Sequence, residues 1–517
     1  MALEIVRRIR GNVHGSIDIS AVEDRLLEHP CVQRLRRIRQ LAFLSYVFPG
    51  ATHTRFEHSL GVMQLAGVAW EKLKANQARL RHNVANIPDF AEREAKPADG
   101  ILHGVLTPTF AKGDVLFDSD YTVQALRLAA FLHDLGHPPF SHSGERFLPT
   151  WAQVLAANKS KSSQAVLTFL QKKCDEIADA GIDPTKTKVR HEVFTILMVD
   201  RVLADLYRDF GKGIQVAPQD VIAIINPNIP PESGSPLEQH GGYKLLNEMI
   251  SGEFDIDRMD YLLRDSRECG VVYGIFDDGR ILDSLTLYQD PQDESLHLAI
   301  TMSGLAAFED YLRARYSMYL QLYFHKTSVA AEAMLQSLGT QLGGWHLPAD
   351  VDAYAEVDEY RIAESLRQAA NSQITDPEAK EQFLETLDDL LYRRRLWKRV
   401  FEVSSADKEE LPFGTLKKAQ TILDSLGYRH EQVSSKSSLT RFIPRGENQF
   451  SHNYLRLIKK DARQVPRVVP IEDHSPLIRA NDRVYIRRIY MERGRTAAED
   501  PVSEAKQTLT KQLLQET

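Results

Sequence analysis

The run 121–145, YTVQALRLAAFLHDLGHPPFSHSGE, is an apolar helix that is forced to stop. Apolar residues recur at helical spacing up to Leu135; Gly136 then ends the helix, and Pro138 and Pro139 prevent it from restarting. A helix this apolar has to be buried among others. Three more stretches carry the same period, at 56–73, 191–210 and 308–335. The fold class expected is therefore mainly α.

After about residue 340 the pattern changes. Helical segments such as 380–400 alternate with short β-like runs at 467–471 and 483–490, which predicts a smaller α+β C-terminal lobe. Between the first two helices, 83–117 is rich in Pro, Gly, Asp and Ala and reads as an inserted loop or lid. The polar end is expected to fray. A chain of 517 residues exceeds what one hydrophobic core sustains. We expect a core over 1–335 with the insertion at about 83–117, an α+β lobe over 336–494 and a polar tail over 495–517.

The net charge of −7 argues against a protein whose main business is coating nucleic acid. Basic clusters at 7–10, 34–39 and 393–395 read first as solvated helix faces. Cys31, Cys174 and Cys269 are widely spaced without any CxxC, which makes a disulfide framework or thiolate zinc site unexpected. The start, MALEIVRRIR, lacks the apolar stretch of a signal peptide, and no run approaches the roughly 20 apolar residues of a membrane span. A cytoplasmic location with no membrane partner is the expectation.

The chemistry gathers at HDLGHPPFSHSGE. A helix end followed by a Gly-Pro loop exposes side chains at the edge of a cleft. His133 and Asp134 are adjacent at the end of an apolar helix, where an uncompensated buried carboxylate costs several kcal/mol. Paired with a cation the two make sense together, and imidazole with carboxylate suits Mn, Fe, Zn or Ni better than Ca. His58 stands at the start of another helix beside an arginine. The segment 253–265, EFDIDRMDYLLRD, is helical from about Asp257, with Met259, Leu262 and Leu263 marking its buried face. A solvated acidic helix accounts for Glu253, but less well for Asp257 and Asp260, which flank core positions.

In order, RFEHSLG, HDLGHPPFSH and DIDRMDYLLRD resemble the motifs of the HD-domain superfamily of metal phosphohydrolases. Within it the likeness is to deoxynucleoside triphosphate triphosphohydrolases, the group of the bacterial dGTPases and the vertebrate sterile-alpha-motif-and-HD-domain enzyme. The resemblance covers roughly residues 5–335 and implies an all-helical HD-domain core. It implies His58, His133, Asp134 and Asp257 as ligands of one divalent transition metal, with Mg accompanying the substrate phosphates. His142 matches the residue working at the departing 5′-oxygen, Glu145 and His191 its support, and His137 lines the same loop. A histidine suits proton transfer because its ordinary pKa lies near neutrality.

The same resemblance places Arg55, Arg258 and Lys326 around the phosphate chain. Tyr261, Asp265, Arg315, Tyr319 and Tyr323 fall around sugar and phosphates, and Gln40 and Leu41 beside the 3′-hydroxyl and base. Taken alone, each tyrosine is more often a core residue. The reaction implied is cleavage of a dNTP to deoxynucleoside and inorganic triphosphate. Relatives assemble as dimers or tetramers around activating nucleotides; Arg7, Gln33 and Arg36 match positions that hold such a GTP or dNTP, while Glu28 replaces an Asp at another. No sterile-alpha-motif domain is expected within this sequence, and its insertion separates the first ligand from the second more than in the vertebrate enzyme. Two alternatives remain: a different phosphoester (a nucleoside monophosphate, a cyclic nucleotide or a nucleic-acid end), or a nucleotide-sensing oligomer without catalysis.

Overall fold

The computed structural model describes residues 4–96, 104–106, 115–210, 216–405, 413–438, 455–480, 483–494 and 501–514. A hairpin of β1 (Ile5–Arg10) and β2 (Ser16–Ser20) opens the chain, followed by the short helices α1 (Ala21–Leu27) and α2 (Pro30–Arg34). The long helix α3 (Arg55–Ala85) begins at a capping box, in which the backbone N–H of Thr54 donates to Glu57 Oε2 at 3.0 Å. Its apolar stripe, including Leu60, Met63, Trp70 and Leu73, is fully buried, and it packs along α5 (Asp120–Leu132).

The stop expected after Leu135 is what positions the cleft. Gly136 lies backbone to backbone against α6 (His191–Phe210): a Cβ there would stand 2.0 Å from the Thr195 nitrogen. Only glycine lets the end of α5 approach the start of α6 closely enough for their histidines to meet. Phe140 and Ser141 follow in the left-handed region, and the Ser141 hydroxyl donates to the Arg39 carbonyl at 2.7 Å.

Two helices then close the core, α7 (Pro218–Ile225) and α8 (Gly242–Ser251), before α9 (Ile256–Cys269). Asp255 caps α9, its carboxylate accepting from the Arg258 N–H at 2.5 Å, so the helix starts one residue before the expected Asp257. The stretch 308–335, expected as one helix, is two. α10 (Leu305–Met318) runs into a π-helical turn (Tyr319–Tyr323) and a break at Phe324, and α11 (Lys326–Gln341) starts afresh with His325 as its cap. The extra residue of the π-turn shifts the Tyr319–Tyr323 face relative to the helices on either side.

α12 (Glu359–Gln373) and α13 (Pro377–Asp388) follow one another and pack together. The expected helix at 380–400 stops early, because a π-turn (Asp389–Arg393) ends on Arg394 in the left-handed region and a strand follows. β3 (Leu285–Gln289), β4 (Leu296–Thr301), β7 (Arg456–Lys460) and β8 (Pro466–Pro470) form one sheet, with β4 and β7 parallel. β5 (Lys398–Ser405), β9 (Arg483–Met491) and β6 (His430–Ser438) form a second, antiparallel one. The runs expected at 467–471 and 483–490 are thus β8 and β9, yet they belong to different sheets.

Part of the 83–117 insertion lies outside the described residues. The rest includes α4 (Phe90–Ala95); Phe90 and Leu106 pack with Tyr288, Ile458 and Val468 over the sheet that β7 and β8 complete. The tail differs from expectation. Within 495–517 the described residues hold a helix, α15 (Val502–Leu514), whose Val502, Ala505 and Leu509 are buried against Leu416, Ala419 and Leu423 of α14 (Phe413–Ser425). Val502, Ala505 and Leu509, at i, i+3 and i+7, form the stripe that docks the helix, with Leu513 packed beside them. Among the described residues no helix is long and apolar enough to cross a membrane. The architecture is mainly helical, with small sheets and a small α+β lobe.

Candidate metal centre and cleft

Three helices deliver the four candidate ligands. α3 brings His58 in its first turn, the end of α5 brings His133 and Asp134, and the first turn of α9 brings Asp257. His58 Nε2 stands 2.9 Å from Asp257 Oδ1 and 3.6 Å from Asp134 Oδ2. His133 Nε2 stands 3.4 Å from Asp257 Oδ1 and 3.5 Å from Asp134 Oδ1. His58, His133 and Asp257 offer atoms that all lie within 4.8 Å of one another.

Both Nε2 atoms are buried, and neither meets the geometry of a hydrogen bond to the nearby carboxylate oxygens. The opposite ring nitrogens are committed. His133 Nδ1 donates to the Ala130 carbonyl at 2.7 Å, and His58 Nδ1 donates to Asp260 Oδ2 at 2.8 Å. With Nδ1 so committed, each imidazole would offer an Nε2 lone pair to a cation seated between the two carboxylates, displacing the proton that Nε2 otherwise holds. Two imidazoles and two carboxylates fit Mn, Fe, Zn or Ni. His58 is also a strong base: burial opposes its charge, but the Asp257 and Asp260 carboxylates prevail and push its pKa up to about 10. For Asp134 burial works the other way, and Arg55 together with His133 and His137 outweighs it, holding the carboxyl well below its ordinary range.

A second cluster adjoins the first. Glu145 Oε1 accepts from His142 Nδ1 at 2.9 Å and from His191 Nδ1 at 2.6 Å, and the rings of His137 and His191 stack with centres 3.6 Å apart. Burial, then the charge of Arg55, hold the His137 pKa well below its ordinary value, so that ring is neutral. His142 is the exposed member, its side chain 73% accessible.

The cleft over both clusters has a volume of about 550 Å³. Gln40, Leu41, Arg55, Arg258, Tyr261, Asp265, Tyr319 and Tyr323 line it. Asp265 is clamped: Oδ1 accepts from His53 Nε2 at 2.7 Å, and Oδ2 from the Tyr323 hydroxyl at 2.8 Å. Gln40 Oε1 is buried and accepts no hydrogen bond. The two cleft arginines carry carboxylate partners, Asp134 for Arg55 and Asp255 for Arg258, which lessens the positive field they project. Arg315 lies 5.8 Å from the centre of the Tyr319 ring, while Lys326 is exposed at the start of α11. Gln33 and Arg36 touch, Arg36 Nε donating to Gln33 Oε1 at 3.0 Å; Arg7 pairs instead with Asp24 of α1.

The sequence marked Asp260 as poorly explained by a solvated helix but gave it no role, which is to hold His58, and it gave no sign of Glu332 on the cleft wall. The signal for Asp260 was its place three residues after Asp257 on a face with core neighbours.

Residues 276–433 match the model of an HD associated region. The uncharacterized protein YwfO of Bacillus subtilis is 30% identical over 334 residues, covering 64% of this chain and 54% of that protein. The deoxynucleoside triphosphate triphosphohydrolase SAMHD1 of Gallus gallus is 24% identical over 436 residues, covering 79% and 58%. The chain is similar to HD-domain, dNTPase-like proteins. It spans about half the length of most of the curated relatives it matches. Two solved structures share the fold, each with a TM-score of 0.57 and 22% identity. They are a hypothetical protein from Aquifex aeolicus (98% of this chain, 100% of that one) and a phosphohydrolase from Bacteroides thetaiotaomicron (94% and 100%). In such a cleft, the paired Nε2 atoms of His58 and His133 beside Asp257 could hold a metal ion.

Proposed function

We propose that this chain is a metal-dependent phosphohydrolase that cleaves deoxynucleoside triphosphates to deoxynucleoside and inorganic triphosphate. The observation that carries the reading is the pair of buried, unbonded Nε2 atoms of His58 and His133 facing Asp134 and Asp257 on the floor of a tyrosine-walled cleft. The name of the SAMHD1 relatives supports the substrate class. A transition-metal ion held by these four residues would supply Lewis acidity at the α-phosphate, and Mg would accompany the outer phosphates.

The chain's own residues do the rest. Arg55 and Arg258 line the path of the phosphates. Tyr323, fixed by Asp265, offers a ring against the sugar that leaves no room for a 2′-hydroxyl, and Gln40 offers an unsatisfied acceptor to the 3′-hydroxyl. Water adds its oxygen to the α-phosphorus, the bond to the 5′-oxygen breaks, and that oxygen takes a proton. His142 is placed to deliver it, because Glu145 holds its Nδ1 and leaves Nε2 toward solvent at the cleft mouth. Activation by GTP or a dNTP at Gln33, Arg36 and Arg7, with assembly into a dimer or tetramer, belongs to the same reading.

The test is to incubate the protein with all four dNTPs, Mn²⁺ and Mg²⁺, with and without GTP, and to resolve products by ion exchange. Equal amounts of deoxynucleoside and triphosphate, lost in Asp134→Ala, are expected. Monophosphate or pyrophosphate as the product, or turnover that survives in Asp134→Ala, would sink it.

A further inference from the structure

The hairpin at the chain start reaches the metal centre. Between β1 and β2 the turn closes with the Gly11 N–H donating to the Gly15 carbonyl at 2.7 Å, and it projects His14 toward α9. His14 Nε2 lies 2.7 Å from Asp260 Oδ1, with its side chain 10% accessible and that of Asp260 fully covered. A carboxylate only accepts, so His14 donates. The other oxygen, Oδ2, takes the His58 Nδ1 proton at 2.8 Å.

Arg264 grips the same carboxylate from one turn further along α9, Nε on Oδ2 at 2.9 Å and Nη2 on Oδ1 at 2.8 Å. Each oxygen thus has two donors. Arg264 comes from the same helix as Asp260, so its two bonds to the carboxylate lie within α9. His14 comes from a separate element and ties it to the hairpin. On the third side α3 presses close at Gly61, where a Cβ would stand 2.0 Å from Asp260 Oδ1. Neighbouring contacts keep the turn seated: Arg264 Nη1 donates to Asn12 Oδ1 at 3.0 Å, and Asn12 also bonds Glu268.

We propose that His14 is a positioning residue of the metal centre, holding the Asp260 carboxylate that orients His58 Nε2 toward the cation. The inference rests on the metal-site reading above. Groups behind a metal-binding histidine fix its ring and tautomer, and losing one typically costs 10–100-fold in affinity.

The experiment measures Mn²⁺ and Co²⁺ affinity of the full chain by calorimetry, together with the visible spectrum of the Co²⁺ form. His14→Phe keeps a ring in place and removes the donor; His14→Gln puts an amide N–H where Nε2 stood. Wild type is expected to bind one ion. His14→Phe should bind at least ~10-fold more weakly, with an altered Co²⁺ spectrum, and His14→Gln within about 3-fold of wild type. Equal affinity and spectra in all three would overturn the inference while leaving the metal site standing. Equal loss in both variants would also overturn it, since filling and stapling the turn would then be the only role. Failure of wild type to bind either ion would remove the metal reading and this inference with it. Circular dichroism of the metal-free proteins shows whether a variant is folded.

Discussion

Asp260 is a buried carboxylate with four donors, and the Arg264 guanidinium binds both of its oxygens. Asp260→Asn leaves that guanidinium buried without its partner, which should cost about 3–5 kcal/mol in urea unfolding of the metal-free chain. A loss below ~1 kcal/mol would mean that the network is far wetter than it looks. Glu332 works in the opposite sense. Burial on the cleft wall raises its pKa from 4.5 to about 7, against the pull of Arg146 and Ser143. A carboxyl raised on folding favours the native state while both forms are protonated, and that benefit drains away as pH climbs from about 4.5 to 7. Glu332→Gln should therefore raise the melting temperature more at pH 8 than at pH 5. The side chain is only partly covered, so solvent tempers the gain; an equal shift at both pH values would contradict the argument. The residues that the sequence singles out on three separate segments do meet in one cleft, because a His-Asp pair at the end of an apolar helix has to be balanced by groups from elsewhere in the chain. Asp260 was less legible, since its partner His14 lies 246 positions away.

Elements carry their own constraints. An alanine in place of a helical glycine ordinarily gains about 1 kcal/mol of helix propensity. On α3, Gly61→Ala should lose stability instead, because its methyl would meet Asp260 Oδ1 at 2.0 Å and Arg264 Nη2 at 2.3 Å. Both atoms are locked in the network and have nowhere to retreat. A stabilised variant in urea titration would show that the network yields. The helices at 56–73, 121–135 and 191–210 were readable because period and stop signals agreed. The break at Phe324 was not: Tyr319 to Phe324 contains no Gly or Pro, and the π-turn arises where Tyr323 is drawn to Asp265 and packs at 5.0 Å against Tyr319. The 380–400 stretch was misjudged for a related reason. Its arginines are good helix formers, and only the left-handed Arg394 marks where the helix gives way to β5.

At the scale of the molecule, the C-terminal strands are divided between two sheets, a pairing that no local pattern encodes. β7 lies parallel to β4, with Ala299 opposite Arg456, and β8 extends that sheet. Removing residues 455–494 should bare the edge of β4 and strip Ile458, Val465 and Val468 from the core around Tyr288. Such a chain is expected to elute as large aggregates in size-exclusion chromatography, and a monodisperse species would count against it. Parallel pairing also sets an order in time. His58, His133, Asp134 and Asp257 all leave the ribosome before β4 does, yet β4 must wait for a partner encoded from Arg456 onward. At roughly 5–20 residues per second that wait is on the order of ten seconds. A nascent chain could gather its four ligands while one strand edge is still open, so its most aggregation-prone moment falls late in synthesis, after the chemistry is already in place.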